Sequence, residues 1–199
     1  MSTKHLTERI LEHAHRQPEG TPLSAKGLLH LGNRAAVDQA LSRLVRRGQL
    51  MRAGRGLYVL PVESRFGKRA PEAEKTVAGV AAQKGERVVA SGAMAANALG
   101  LTSQVPVRSV FLTSGRGRML RLGKQELELR HAPGWQLALG DRKAGQAVRA
   151  LAWLGPEAAA DAVPKLRRAL SPDERQELVS IAAQTPDWLA GTLAKVAYG

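Results

Sequence analysis

The sequence contains no cysteine, and aromatic residues make up only 4% of its 199 residues. Without cysteine the chain has no disulfide framework, no thiol nucleophile and no Cys-ligated zinc site, and a reducing compartment is permitted. The scarcity of aromatic side chains weighs against binding of RNA or single-stranded DNA, which usually depends on base stacking. An apolar fraction of 44% argues against wholesale disorder.

The sequence also lacks a long apolar run. Its longest uncharged stretch covers 20 residues, Val88–Val107, and is interrupted by Asn97, Gly100 and Pro106. Such a stretch is too polar to span a membrane. The first ten residues, MSTKHLTERI, lack the apolar segment of a signal peptide. We therefore expect a soluble, cytoplasmic protein with no membrane partner.

Positive charge is abundant and unevenly distributed. The chain has 30 Lys and Arg against 17 Asp and Glu, for a formal net charge of +13. Residues 1–69 contain 13 basic and 5 acidic side chains, and Val107–Ala132 contains six and two. Residues 155–199 are nearly neutral, with five basic and six acidic side chains. This concentration favours a polyanionic partner bound mainly by the N-terminal third.

The N-terminal third has the periodicity of three helices followed by a β-hairpin. Ser24 and Asn33 stand where they would cap the second and third helices, and the apolar residues of the third helix form one stripe. The predicted helices are Thr3–His15, Ala25–Leu31 and Arg34–Arg47, and the predicted strands are Gln49–Arg52 and Gly56–Leu60. This order is that of a winged helix-turn-helix, whose third helix enters the major groove of duplex DNA.

Polar side chains of the third helix and the hairpin are the candidate DNA-binding residues. Those of the helix lie mostly off the apolar stripe, and arginine, asparagine and serine can contact base edges or phosphates. Arg52 and Arg55 lie on the hairpin, where a wing meets the backbone or the minor groove. For any single arginine, a solvated helix face is the alternative. The candidate set is Lys26, Asn33, Arg34, Asp38, Ser42, Arg43, Arg46, Arg47, Arg52 and Arg55.

Beyond the hairpin, the basic segment SRFGKRAP (Ser64–Pro71) predicts a connector between two domains, residues 1–66 and 70–199. Alternating apolar residues then predict a small antiparallel sheet with helices packed against it. The predicted strands are Arg87–Ala90, Val107–Thr113, Arg118–Leu122 and Gln125–His131, and the predicted helices are Pro71–Lys84, Ala93–Leu99, Arg142–Leu154, Glu157–Leu170, Asp173–Gln184 and Asp187–Ala197. The predicted fold class is α+β, with a winged helix-turn-helix followed by a mixed domain and a helical C-terminal region.

Residues that could carry out catalysis do not form a recognisable set. The glycine-rich turn Gly115–Gly117 lacks the lysine and hydroxyl residue of a P-loop. Glu126 and Glu128 share one strand face, but their basic neighbours favour a solvated charged surface. We therefore expect no enzyme activity, no cofactor and no metal site. The basic residues of this middle segment form a second candidate nucleic-acid contact, made of Arg108, Arg116, Arg118 and Arg121.

Three segments resemble the AbiEi-type antitoxins of type IV toxin–antitoxin systems. They are LGNRAAVDQALSRLVRRGQLMRAGRGLYVLP at Leu31–Pro61, SGAMAANALGLTSQVP at Ser91–Pro106 and VFLTSGRGRMLRLG at Val110–Gly123. In the first segment the RGLY hairpin follows the third helix at the distance that this family leads one to expect. Together, the three segments and their order cover most of residues 20–125.

The resemblance implies an N-terminal winged helix that binds inverted repeats in its own promoter and represses its operon. It also implies a C-terminal domain that counteracts a nucleotidyltransferase-type toxin. The chain lacks the Gly-Ser and paired-aspartate motif of such a toxin, so it is similar to the antitoxin partner. Two other classes stay open: a protein-interaction module that binds an acidic partner or the toxin directly, and an enzyme that acts on nucleic acid.

Overall fold

The computed structural model describes residues 5–199 and has an α+β fold. Its contacts divide the chain into two compact units. The first unit contains residues 5–85 together with Met119–Leu127, and the second contains Glu86–Arg118 and Glu128–Gly199. The boundary predicted between residues 66 and 70 therefore lies inside the first unit. None of the helices in the described range is both long and apolar enough to cross a membrane.

The first unit begins with two helices, α1 (Leu6–His15) and α2 (Arg34–Arg46). As predicted, Asn33 caps α2, because its side chain accepts a 2.9 Å hydrogen bond from the Ala36 amide. The hydrophobic stripe of α2 is buried and consists of Val37, Ala40, Leu41 and Leu44. Residues 3 and 4 of the predicted first helix lie outside the described residues.

The second helix predicted from the sequence is wrong: Lys26–Leu28 forms a single 3₁₀ turn. The Ser24 hydroxyl accepts a hydrogen bond from the Gly27 amide, 3.2 Å away, and closes the turn locally. Just before it, Leu23 forms a β-bridge with Tyr58, with backbone hydrogen bonds of 2.7 and 2.9 Å. Gly27 lies in the middle of the turn, and glycine disfavours the extension of the turn into a longer helix.

Two antiparallel hairpins follow α2. The first pairs β1 (Met51–Gly54) with β2 (Leu57–Val59), as predicted to within two residues. The second pairs β3 (Val62–Ser64) with β4 (Gly67–Arg69) and replaces most of the predicted connector. Its turn is closed by the Ser64 hydroxyl, which donates to the Gly67 carbonyl at 2.6 Å. The segment that the sequence predicts to be a linker is therefore ordered structure.

Helix α3 (Ala73–Lys84) is held in the first unit by the carboxylate of Glu19. Glu19 accepts hydrogen bonds from Lys75 Nζ at 2.8 Å, the Glu72 amide at 3.0 Å and Arg69 Nη1 at 3.3 Å. The hydrogen bond from Lys75, followed by that from the Glu72 amide, lowers the pKa of Glu19 to about 2. The same ion pair raises the pKa of Lys75.

We predict that Glu19→Gln lowers the midpoint temperature of thermal unfolding at pH 7. Because folding depresses the carboxyl pKa from 4.5 to about 2, the stabilisation is fully present above pH 4.5 and is lost as the pH falls toward 2. The difference between wild type and variant should be constant from pH 6 to 8 and shrink below pH 4.5. Circular dichroism melts across this range measure it, and a difference that grows on acidification would contradict the assignment.

Strands and helices of the second half follow the predicted order closely. The strands are β5 (Val88–Ala90), β6 (Ser109–Thr113), β7 (Arg118–Leu122) and β8 (Gln125–His131), arranged in the sheet order β5-β6-β8-β7. The helices are α4 (Gly92–Ala98), α5 (Gly134–Leu137), α6 (Lys143–Ala169), α7 (Pro172–Ala182) and α8 (Asp187–Tyr198). The predicted break in α6 occurs at Gly155, whose φ of 78° and ψ of 171° suit glycine alone. Ser171 and Glu174 form the predicted capping box of α7.

The core of the second unit is built from its C-terminal helices. Small residues of α6 are fully buried there, together with Leu166 of the same helix, and pack with Leu178 of α7 and with Leu189 and Leu193 of α8. Ala95, Ala96 and Ala150 form a smaller cluster where α4 lies against α6. Small side chains at this crossing allow the two helix backbones to approach closely.

Candidate nucleic-acid interface

Helix α2 presents a basic face opposite its buried stripe. Arg34, Arg43, Arg46 and Arg47 are all exposed, and the side chain of Arg34 is 65% accessible. Arg34 Nε donates a 2.8 Å hydrogen bond to Asp38 Oδ2, one turn along the same helix. Because both partners are exposed, this ion pair is weak and can exchange with an anionic ligand. The face therefore keeps a strong positive character.

Gln39, Ser42 and Arg46 lie on the most outward part of α2, and all three are exposed. Their spacing of three and four residues aligns them along one line, opposite Val37, Leu41 and Leu44. Gln39 was not selected from the sequence, because charged residues were given the most weight. The helical periodicity that places Ser42 and Arg46 on the exposed face places Gln39 there as well. Glutamine and arginine are suited to adenine and guanine respectively in a major groove.

The remaining candidate residues lie beside the outward line of α2 or just before the helix. Asn33 uses its carboxamide oxygen to cap the helix, so that oxygen is already engaged. Arg43 and Arg47 line a groove between α2 and α1, and Glu8 contributes to the opposite wall. Lys26 is exposed on the 3₁₀ turn that precedes α2.

Hairpin β1–β2 carries its two arginines on its exposed surface. Arg52 alternates with buried Ala53, and its Nε lies 3.4 Å from the Gly54 carbonyl oxygen. Arg55 is exposed in the two-residue turn, where Gly56 adopts a φ of 69°. The positive φ is readily adopted by glycine and allows the tight turn that projects Arg55 from the hairpin tip.

The four arginines of the second candidate contact are divided between the two units. Arg108 and Arg116 are exposed in the second unit, whereas Arg121 belongs to the first. Arg118 is engaged internally: its Nη1 and Nη2 donate to the two carboxylate oxygens of Glu86 at 3.0 and 2.6 Å. Only 16% of the Arg118 side chain and 14% of the Glu86 side chain are accessible. We therefore withdraw Arg118 from the contact set, since a phosphate would have to displace a largely buried carboxylate.

A buried arginine, Arg149, also escaped the sequence reasoning. Its Nη1 donates to the carbonyl oxygens of Gln136 and Gly140 at 3.2 and 2.8 Å, and Asp141 lies 3.9 Å from Nη2. Burial lowers the pKa of Arg149 to about 10, with Asp141 acting in the opposite direction. The side chain has no accessible surface, and its hydrogen bonds tie the chain around α5 to α6.

Metal-binding geometry is absent from residues 5–199: no group of three or more His, Asp or Glu side chains is placed to hold an ion. The carboxylates of Glu126 and Glu128 instead pair with arginines, Arg121 at 2.6 Å and Arg130 at 2.9 Å. These contacts form the solvated charged strand face that the sequence favoured.

Comparisons with known proteins identify a family and a fold. The model of DUF6088, a family of unknown function, matches residues 9–178. Among solved structures, the crystal structure of the RV2827C protein from Mycobacterium tuberculosis is similar, with a TM-score of 0.53 at 15% sequence identity. The similarity covers 98% of this chain and 77% of that one. No curated protein matches the sequence. At this identity, the structural likeness concerns the fold alone.

Proposed function

We propose that this chain, which belongs to the DUF6088 family of unknown function, binds duplex DNA in a sequence-specific manner through its first unit. The observation that carries the proposal is the exposed side of α2, where Arg43 and Arg46 lie away from the buried apolar stripe and Arg34 and Arg47 stand at the two ends of the helix. A second basic element, the β1–β2 hairpin, follows it directly in the chain. We interpret α1, the 3₁₀ turn, α2 and this hairpin as a winged helix-turn-helix with a shortened second helix.

In this proposal, α2 enters the major groove. Arg43 and Arg46 have the donor geometry for guanine, and Gln39 has the donor and acceptor pair for adenine. Arg52 and Arg55 contact the backbone or the minor groove, and Arg34 and Arg47 bind phosphates on either side. The exchange of Asp38 for a phosphate at Arg34 costs little, because the ion pair is exposed.

The regulatory role that we propose is that of an autorepressor and antitoxin. It is supported by the resemblance of Leu31–Pro61, Ser91–Pro106 and Val110–Gly123 to AbiEi-type antitoxins. Under this proposal the first unit binds inverted repeats in its own promoter in the cytoplasm. The nearly neutral C-terminal helices counteract a nucleotidyltransferase-type toxin, either by contact or through their effect on the same process.

We predict that Arg43→Ala lowers affinity for a specific duplex by about 1–3 kcal/mol, provided that Arg43 contacts a base. Gel shifts and fluorescence anisotropy on duplexes from the native upstream region, at one fixed salt concentration, measure the change. Arg168→Ala is the matched control, because it removes an exposed arginine from α6 in the second unit. Equal affinity of the Arg43 variant and the wild type would remove Arg43 from the recognition set.

The salt dependence of duplex binding separates this proposal from the protein-interaction alternative. A protein that neutralises several phosphates loses affinity steeply as salt rises, because bound counterions are released. We expect such a slope for the full chain on duplex DNA. If the wild-type chain shows no salt-dependent duplex binding, the basic face would instead serve an acidic protein partner or the toxin.

A further inference from the structure

The part of the β7–β8 hairpin that belongs to the first unit, Met119–Leu127, packs beside the β1–β2 hairpin. Leu120 lies over Gly54 so closely that a Cβ on Gly54 would be 3.3 Å from its Cδ2. At the hairpin turn, a Cβ on Gly123 would be 3.4 Å from Met51 Cε. Residues separated by more than 60 positions in the sequence thus share one surface.

An open groove runs between these two hairpins, and arginines stand on both of its walls. Its lining consists of Arg52, Ala53 and Gly54 from β1 and Met119, Leu120, Arg121 and Glu126 from β7 and β8. Lys124 is exposed at the adjacent turn. The groove therefore extends the basic surface of the β1–β2 hairpin.

Glu126 is the acidic side chain among the lining residues of this groove. Its Oε1 accepts a 2.6 Å hydrogen bond from Arg121 Nη2, and the two side chains are 44% and 67% accessible. An ion pair this exposed contributes little to stability and forms and breaks readily. Glu126 can consequently keep Arg121 in this ion pair, or an anion that binds Arg121 more tightly can displace the Glu126 carboxylate.

We propose that this groove binds a backbone phosphate of the duplex held by α2, with Arg52 and Arg121 as its ligands and Glu126 as an internal competitor. This inference rests on the proposed DNA-binding function and extends its footprint to a hairpin remote in sequence. Arg121 contacts backbone and reads no base, so its contribution is the same for specific and unrelated duplexes. Glu126 lowers affinity on all duplexes and so makes binding depend more on the base contacts of α2.

The test is fluorescence anisotropy of the full-length chain on a specific and an unrelated duplex across a series of KCl concentrations. Arg121→Gln should weaken binding to both duplexes about fivefold and reduce the salt slope by about one. Arg121→Lys, which keeps the charge, should retain the slope. Glu126→Gln should strengthen binding to both duplexes severalfold, and the gain should vanish in the Arg121→Gln, Glu126→Gln double variant.

Arg130→Gln and Glu128→Gln are the matched controls, because they remove a similar 2.9 Å ion pair from the second unit. We expect neither to change affinity or slope. If Arg121→Gln binds like wild type while Arg43→Ala loses specific affinity, the groove proposal fails and the proposed function stands. If the wild-type chain binds neither duplex, both fail. A gain for Glu126→Gln that persists without Arg121 would also overturn the groove proposal.

Discussion

Replacing Gly92 with alanine is expected to lower the free energy of unfolding by about 3 kcal/mol, the upper range for overpacking a tight contact. Gly92 is the first residue of α4, at the point where this helix crosses α6. A Cβ at this position would overlap the Arg149 carbonyl oxygen and would lie 2.5 Å from Trp153 Cβ. Both obstacles are fixed to the α6 backbone, so no side-chain rotation can relieve the overlap.

Urea denaturation followed by circular dichroism measures the loss. Gly191→Ala provides the control, because a Cβ at Gly191 meets no atom within 4 Å and the residue lies inside α8. There alanine should raise the free energy of unfolding by about 0.5–1 kcal/mol through its higher helix propensity. If the two variants shift stability in the same direction, the close approach of α4 and α6 does not determine stability.

The Glu86–Arg118 ion pair gives the second large expected effect. Arg118→Met should lower the free energy of unfolding by about 3 kcal/mol, because it removes the guanidinium that pairs with both oxygens of a largely buried carboxylate. Glu86 would keep the hydrogen bond from the Thr113 hydroxyl, whose Oγ1 lies 3.2 Å from its Oε2. The same pair also explains the glycine in the Gly115 turn, where a Cβ would overlap the Glu86 carboxylate.

Two further variants separate a broken ion pair from a simple loss of packing. Replacing both partners, as Glu86→Leu with Arg118→Met, should recover part of the stability, since no unpaired charge is left. Arg130→Met removes the partner of Glu128 in an exposed pair and should cost less than about 1 kcal/mol. A double variant no more stable than Arg118→Met alone would show that the charge is not the cause.

Local features of the fold could be predicted from the sequence, because each depends on neighbouring residues. The Asn33 cap, the buried stripe of α2 and the capping box at Ser171 follow from short spacings that the structure confirms. Strands β7 and β8 have the predicted bounds because their glycine-bounded alternation is strong.

What the sequence did not predict depends on residues distant along the chain. Hairpin β3–β4 is tied down by Lys68 to the Gly48 carbonyl and by Arg69 to Glu19, contacts that span 20 and 50 residues. The segment itself has only the composition of a linker.

The residues of the candidate interface also fall into those that local sequence predicts and those that depend on distant parts of the chain. Helical periodicity predicts the exposed face of α2, but the partner of Arg118 lies 32 residues away in the sequence. Likewise, only the folded chain places Arg121 beside Arg52. Charge and periodicity therefore identify a basic surface, whereas tertiary pairing decides which of its arginines are available to a ligand.

The first unit is discontinuous in sequence, and this has a consequence for the timing of its folding during synthesis. Its last part, Met119–Leu127, leaves the ribosome 42 residues after Gly85, a delay of about 2–8 s at 5–20 residues per second. Over that interval α2 and the β1–β2 hairpin are already made, while the hairpin that carries Arg121 is still missing. In a nascent chain, the exposed face of α2 would thus form seconds before the groove between the β1–β2 and β7–β8 hairpins.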